Sequence, residues 1–302
     1  MKTNRLGTSD LDVSAMGLGC MSLGTEEAQA TAIIHEALDR GINFLDTADL
    51  YDEGRNEEIV GQAVRHRRAD VILATKVGNR RIPGKEGWSW DASKAYIRSA
   101  VKESLLRLQT DYIDLYQLHG GTLEDDIDET VEAFEELKRE GVIRHYGISS
   151  IRPNVIREYV QRSGIVSVMS QYSILDRRPE ESVLPLLGRA GISLIARGPL
   201  ASGILTDHGS SKAQRAYLDY TEIELAELHG QLMSQTTLTR TLTQTALQYP
   251  LADPAVAAVI PGASSLEQLR QNIAAARSQP LSALELEAVR EASKAGRYTQ
   301  HV

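Results

Sequence analysis

Short runs of apolar and β-branched residues alternate along the chain with longer stretches in which apolar positions recur every three to four residues. The first pattern is that of buried strands, the second that of helices laid on a sheet by one face. Strands are predicted at Met16–Gly19, Asn43–Asp46, Val71–Lys76, Tyr112–His119, Arg144–Ser149, Val166–Gln171, Ser193–Arg197 and Val256–Ile260. Helices are predicted at Glu26–Arg40, Asn56–Arg65, Ala92–Leu108, Ile127–Glu140, Pro153–Arg162, Pro179–Ala190, Thr237–Gln248 and Ser265–Arg277. Gly41, Gly141 and Gly191 stand where helices should stop, and Asp91 and Ser264 where two should begin, Ser264 with Glu267 as capping-box partner.

Eight strand–helix pairs without a linker or a break in composition describe an α/β protein, a single (β/α)8 TIM barrel filling residues 1–302 as one domain. Outside the repeat, Arg5–Val13 reads as an N-terminal β-hairpin plugging the barrel floor, and Leu284–Lys294 as an extra C-terminal helix. The polar stretch Asp207–Gln214 has little to bury and is expected to be a mobile loop.

With 42% hydrophobic and 25% charged residues among 302, the chain has the composition of a soluble protein with a sizeable core, which excludes disordered and collagen-like readings. A formal charge of −8 supplies none of the clustered cations that hold phosphate backbones or anionic lipid, so neither a nucleic acid nor a membrane partner is expected. Met1–Gly7 lacks the apolar stretch of a signal peptide, no run approaches the ~18 residues of a bilayer span, and a cytoplasmic location is expected. Cys20, the single cysteine, forms no internal disulfide, and the seven histidines show no metal-ligand spacing, so no metal is expected. The expected state is a monomer or a weak homo-oligomer.

A barrel enzyme works at the carboxyl ends of its strands. Asp46, Lys76 and His119 close predicted strands two, three and four, and Tyr51 follows Asp46 by five residues. Singly, each is ordinary: a strand-end aspartate caps a helix or pairs in the core, and a lone tyrosine or histidine packs. Together they suit carbonyl reduction. A tyrosine of ordinary pKa near 10 donates a proton at neutral pH when its conjugate base is stabilised, and an ammonium at about 4 Å supplies ~4 kcal/mol at an effective dielectric near 20. Asp46 would hold Lys76, and His119 would donate to the substrate oxygen as charge develops there.

Gly17-Leu18-Gly19-Cys20-Met21-Ser22-Leu23-Gly24, Asn43-Phe44-Leu45-Asp46-Thr47-Ala48-Asp49-Leu50-Tyr51, Asp111-Tyr112-Ile113-Asp114-Leu115-Tyr116-Gln117-Leu118-His119 and Gly147-Ile148-Ser149-Ser150 resemble the aldo-keto reductases, over nearly the whole chain. The nearest likeness is to bacterial NADPH-dependent members, including stress-associated reductases of reactive aldehydes. The resemblance implies a catalytic tetrad of Asp46, Tyr51, Lys76 and His119 with Tyr51 as general acid. It also implies NADPH as cofactor, with NADH the alternative, and a small-molecule carbonyl substrate.

It further places Gly19, Cys20 and Met21 beside the cofactor, and the nicotinamide carboxamide against Ser149, Ser150 and Gln171. Gly198 and Pro199 would also touch the cofactor; the diphosphate would lie on the loop Leu200-Ala201-Ser202-Gly203-Ile204-Leu205, and the adenosine side on Gly262-Ala263-Ser264 with Gln268, Gln271 and Asn272, with Arg270 the only nearby cation. Two departures are visible. Ser150 stands where many relatives carry asparagine, and Arg197 where many carry an aromatic residue stacked on the nicotinamide. A guanidinium can also stack, but its charge disfavours the oxidised, cationic ring and would bias the enzyme towards reduction. Trp88 and Trp90 either wall the substrate pocket or cap the following helix, and an apolar pocket would accept many aldehydes.

Three other readings fit parts of the pattern. Gly17-x-Gly19-x-x-Ser22 imitates a Rossmann fingerprint, against which stand the serine and the eightfold repeat. Lys76 as a Schiff-base amine would make a cofactor-free lyase or isomerase, leaving Tyr51 and Gln171 without roles. A slow nicotinamide-binding sensor would share the same fold.

Overall fold

The computed structural model describes residues 1–82, 87–235 and 240–302. Its strands are β1 (Thr3–Arg5), β2 (Asp12–Ser14), β3 (Leu18–Gly19), β4 (Phe44–Asp46), β5 (Ile72–Val77), β6 (Asn79–Arg81), β7 (Trp88–Trp90), β8 (Ile113–Leu118), β9 (Ile143–Ser149), β10 (Ser167–Gln171), β11 (Ser193–Arg197) and β12 (Val256–Ile260). Its helices are α1 (Glu27–Asp39), α2 (Arg55–Val64), α3 (Lys94–Leu108), α4 (Ile127–Arg139), α5 (Pro153–Arg162), α6 (Val183–Ala190), α7 (Glu222–Ser234), α8 (Leu242–Leu251), α9 (Leu266–Ala276) and α10 (Ala283–Ala292).

Strands β3, β4, β5, β8, β9, β10, β11 and β12 run parallel in that order, and the sheet curls until its first and last strands meet. Closure is thin: Met16 bridges Val259 and Gly19 bridges Gly262, with Gly17 N–H donating to Val259 O at 2.9 Å. The result is a (β/α)8 TIM barrel. Its interior is filled by Phe44, Ala74, Leu115, Met169, Ile195 and Ala258, and the antiparallel hairpin β1–β2 seals the amino-terminal end with Leu6, Leu11 and Val13. A second apolar layer, including Ile33, Ile59, Val101 and Phe134, packs the helices on the outside.

The boundaries move where side-chain chemistry overrides the predicted register. Helix α3 is capped by Ser93, which accepts from Tyr96 N–H, while Asp91 accepts from the amide and hydroxyl of Ser93. Helix α9 is capped by Ser265, not Ser264, and the residue reaching back is Gln268 in place of Glu267. The first turn of predicted helix Pro179–Ala190 is a separate 3-10 turn, Arg178–Glu180. The predicted start at Thr237 lies outside the described residues; α8 begins after Thr241, whose hydroxyl and Gln244 form a capping box, and runs beyond Gln248. Helix α7 escapes the strand–helix count, and Trp88–Trp90 forms a hairpin strand instead of a helix cap. The expected mobile loop is anchored: Asp207 accepts from Leu242 N–H at 2.9 Å and Thr243 Oγ1 at 2.7 Å, and Ala213 is buried.

Candidate active site

Asp46 ends β4 and Lys76 lies one residue before the end of β5, so the parallel register sets them side by side near the carboxyl-terminal mouth. Tyr51 opens a tight turn through Gly54 in which Asp52 and Glu53 take positive φ of 45° and 61°. This geometry returns the chain towards Lys76 before α2 begins. His119 follows β8 directly, its N–H donating to Val77 O at 2.7 Å.

Lys76 Nζ donates to Asp46 Oδ2 at 2.7 Å, to Thr47 O at 2.7 Å and to Tyr51 Oη at 3.2 Å. Gln117, opposite Lys76 in the β5–β8 ladder, donates Nε2 to Asp46 Oδ1 at 3.2 Å. The Tyr51 and His119 rings meet edge to face with centroids 6.1 Å apart. All four side chains line one cavity of about 1300 Å³.

Burial works against the Lys76 ammonium, but Asp46 and Tyr51 outweigh it and the net shift is upward, so the lysine is charged. Burial pushes Asp46 up, opposed by Lys76 and Gln117. Burial also pushes the Tyr51 phenol up, with Lys76 pulling the other way. The lysine therefore does not by itself bring the phenol down to neutral pH, which the sequence argument took as within its reach; it limits the rise, and Tyr51 stays protonated. His119 is driven down to about 3 by burial, then by Lys76 and Arg197, so its imidazole is neutral, with Nδ1 buried and unpartnered among the described residues.

The rest of the cavity runs from this floor over the barrel rim. Ser149, Ser150 and Gln171 line one side, with Gln171 Nε2 donating to Tyr217 Oη at 3.1 Å. Arg197, at the end of β11, lines it with Gly198, Pro199, Leu200, Ala201 and Gly203. Gly19, Met21, Gly262, Ser264, Gln268, Gln271 and Asn272 form the far end. Asn272 there donates to Gly262 O at 3.2 Å.

Cys20 and Leu205 do not line the cavity: both are packed into the core, Cys20 with its thiol on Leu18 O at 3.6 Å. Arg270 is turned away as well, its Nε held by Glu36 at 2.8 Å. Lys212 does line the cavity, at the Ala201–Gly203 turn, where it donates to Ser202 O at 3.0 Å. Sequence reasoning missed Lys212 and Tyr217, whose places depend on how the segment after β11 folds over the mouth, and Asn79 and Arg152, which stand close in sequence to Lys76 and Ser150.

Trp88 and Trp90 line the opposite rim. The Trp90 indole donates to Asp125 Oδ1 at 2.8 Å, and its ring lies so close to Gly120 that a Cβ there would be 3.0 Å away. Gly120 itself has φ 144°, so both space and backbone favour glycine. Among the described residues, no three His, Cys, Asp or Glu side chains gather as a metal site, and no helix is long and apolar enough to cross a membrane.

The Aldo/keto reductase family model matches residues 15–294. Oxidoreductase YqkF of Bacillus subtilis (strain 168) is 59% identical over 306 residues, covering 100% of this chain and 99% of its own. Among solved structures, the holo form of aldo-keto reductase AKR11C1 from Bacillus halodurans superposes with a TM-score of 0.95 at 58% identity, covering 100% of this chain and 99% of its own. The apo form of the same protein gives a TM-score of 0.86 at 53% identity, with the same coverage.

Proposed function

The chain belongs to the Aldo/keto reductase family, and we propose that it reduces aldehydes and ketones to alcohols with NADPH or NADH, Tyr51 acting as general acid. The observation that carries this reading is Lys76 Nζ, 2.7 Å from Asp46 and 3.2 Å from Tyr51 Oη at the floor of a cavity large enough for a dinucleotide and a small carbonyl compound together.

The residues present suit a nicotinamide dinucleotide. Hydroxyl and amide side chains, which recognise a carboxamide by hydrogen bonds, stand at the tetrad end as Ser149, Ser150 and Gln171. Lys212 and the start of α9, where first-turn amides favour an anion, supply positive potential towards the other end. That the relative AKR11C1 from Bacillus halodurans has been solved in a holo form is in keeping with a bound cofactor. With Arg270 held by Glu36, the 2′-phosphate of NADPH would rest on the amides at the start of α9, and Lys212 would serve the diphosphate at the Ala201–Gly203 turn.

When bound, the reduced nicotinamide supplies the hydride. The chain's own residues manage the proton. As charge builds on the carbonyl oxygen, Tyr51 Oη transfers its proton there, and the resulting phenolate lies 3.2 Å from an ammonium that Asp46 and Thr47 O hold in place. His119, neutral at working pH, offers an N–H to the same oxygen without competing as an acid. Trp88 and Trp90 give the entrance an aromatic wall suited to aromatic aldehydes and small dicarbonyls. The Schiff-base alternative is disfavoured, because Lys76 is charged and all three of its donors are engaged, whereas a nucleophilic amine must be neutral.

Tyr51→Phe is the test. It should retain nicotinamide binding, read by quenching of protein fluorescence, and lose about 10²–10⁴ in kcat. Aldehyde reduction at the wild-type rate by this variant would overturn the assignment.

A further inference from the structure

The ionisable groups lining the cavity are unevenly balanced. Four cations, Lys76, Arg152, Arg197 and Lys212, face two carboxylates, Asp46 and Asp207, in a chain whose formal charge is −8. Asp46 is taken by Lys76, and Asp207 by the first turn of α8. Lys212 lies over the Ser202 loop and Arg197 at the end of β11, both on the side assigned above to the dinucleotide. Arg152 stands apart from them.

Arg152 Nη1 donates to Gly121 O at 2.8 Å, in the loop two residues after His119, and among the described residues the guanidinium makes no ion pair. Among the described residues one of its five donors is used, and a guanidinium presents the rest as a planar fork matched to a carboxylate. Its backbone is fixed in extended conformation before Pro153, and its N–H donates to Ser150 Oγ at 3.2 Å, so the side chain starts from a rigid base. It stands at the position before α5 without bonding to the helix's amides, and the first turn of that helix carries no acidic residue. Its chain neighbour Ile151 is 40% exposed on the same cavity, and Trp88, on the rim formed by β6 and β7, is 53% exposed.

We propose that Arg152 is a specificity-determining residue for carbonyl substrates that carry an anionic group, a carboxylate above all, at the end remote from the reacting carbonyl. The carbonyl reaches Tyr51 and His119, an apolar or aromatic body lies along Trp88 and Ile151, and the carboxylate is held by the free edge of the guanidinium. This assignment rests on the reductase reading, and it adds the substrate class.

The test compares 4-carboxybenzaldehyde with its neutral isostere, methyl 4-formylbenzoate. Wild type should favour the carboxylate in kcat/KM by about tenfold or more, mainly through KM, with the preference weakening as salt is raised. Arg152→Met, which keeps an apolar stem, should abolish that preference, and Arg152→Glu should invert it. A preference equal in wild type and Arg152→Met overturns the proposal while leaving carbonyl reduction intact.

A second readout is independent of turnover. The chain's two tryptophans both line the cavity, so 4-(hydroxymethyl)benzoate and its methyl ester can be titrated by intrinsic fluorescence. Tighter binding of the carboxylate in wild type, lost in Arg152→Met, supports the anion site even if neither aldehyde is reduced. Equal binding of both compounds to both proteins refutes it.

Discussion

Replacing Lys76 by Met together with Asp46 by Asn removes the buried ion pair and leaves no uncompensated charge behind. The single substitution Lys76→Met would strand Asp46, and breaking one side of a buried pair costs roughly 3–5 kcal/mol of stability. The double variant isolates the chemistry. An ammonium 3.2 Å from the phenolic oxygen stabilises a phenolate by ~5 kcal/mol at an effective dielectric near 20. Losing it alone would raise the phenol by roughly four pKa units; removing Asp46 as well takes away a charge that raises the phenol, so four is the upper bound for the double variant. If about half of the negative charge has developed on the phenol at the transition state, up to ~2.5 kcal/mol of barrier is added, and the rate of the chemical step falls by between about 10-fold and about 70-fold. The assay is single-turnover oxidation of NADPH by an aromatic aldehyde, followed by absorbance, in H₂O and D₂O. The solvent isotope effect should grow as proton transfer becomes harder. A chemical step within threefold of wild type, in a variant whose urea midpoint shows it folded, would refute the role given to the ammonium.

Two further outcomes follow from the same site. Arg197→Tyr should narrow the preference for NADPH over NADP⁺ by about tenfold, equivalent to ~1.4 kcal/mol of charge repulsion; fluorescence titration of both forms checks it, and an unchanged ratio of dissociation constants refutes it. Asp49 lies behind Tyr51 with Oδ1 unpartnered among the described residues, and burial, then the Glu57 carboxylate, raises it to about 7. The folded state therefore holds a proton that the unfolded chain, with a carboxyl near 3.8, releases earlier. Its contribution is fully present below about pH 4 and is lost as pH rises to about 7. Asp49→Asn should flatten that slope and be more stable by about 1–4 kcal/mol at pH 8. Urea unfolding at pH 5 and pH 8 measures it, and parallel pH slopes for the two proteins would contradict the reasoning.

The barrel strands are legible in the sequence because each is a short buried run rich in apolar residues, several of them with a polar residue at or next to the carboxyl end, as Asp46 closes Phe44–Asp46 and Lys76 stands one residue from the end of Ile72–Val77. The meeting of Asp46, Lys76 and His119 follows from parallel register alone, since neighbouring strands bring their ends to one rim. What lies between strands is harder to read. Helix α7 interrupts the strand–helix alternation, although Thr221 with Glu224 carries the capping box that announces it. The α3 cap moves to Ser93 because Asp91 bonds to serine instead of to the helix. Lys212 reaches the cavity only through a loop whose course depends on tertiary contacts, Arg152 stands next to the predicted site residues but carries no motif of its own, and Arg270 looks available until Glu36, 234 positions away, is seen holding it.

The thin seam of the barrel bears on how the chain is made. The ring is joined through Met16 to Val259 and Gly19 to Gly262, so its first strand can be matched only when nearly the whole polypeptide has left the ribosome. Until then the growing sheet carries an unmatched edge at β3, with β1–β2 already able to cover the lower end. Completion falls to a narrow junction where backbone approaches backbone: a Cβ on Gly19 would sit 3.0 Å from Ile260 O. A side chain introduced there would be felt first as slow or failed maturation of the nascent chain, before any change in turnover by molecules that had already closed.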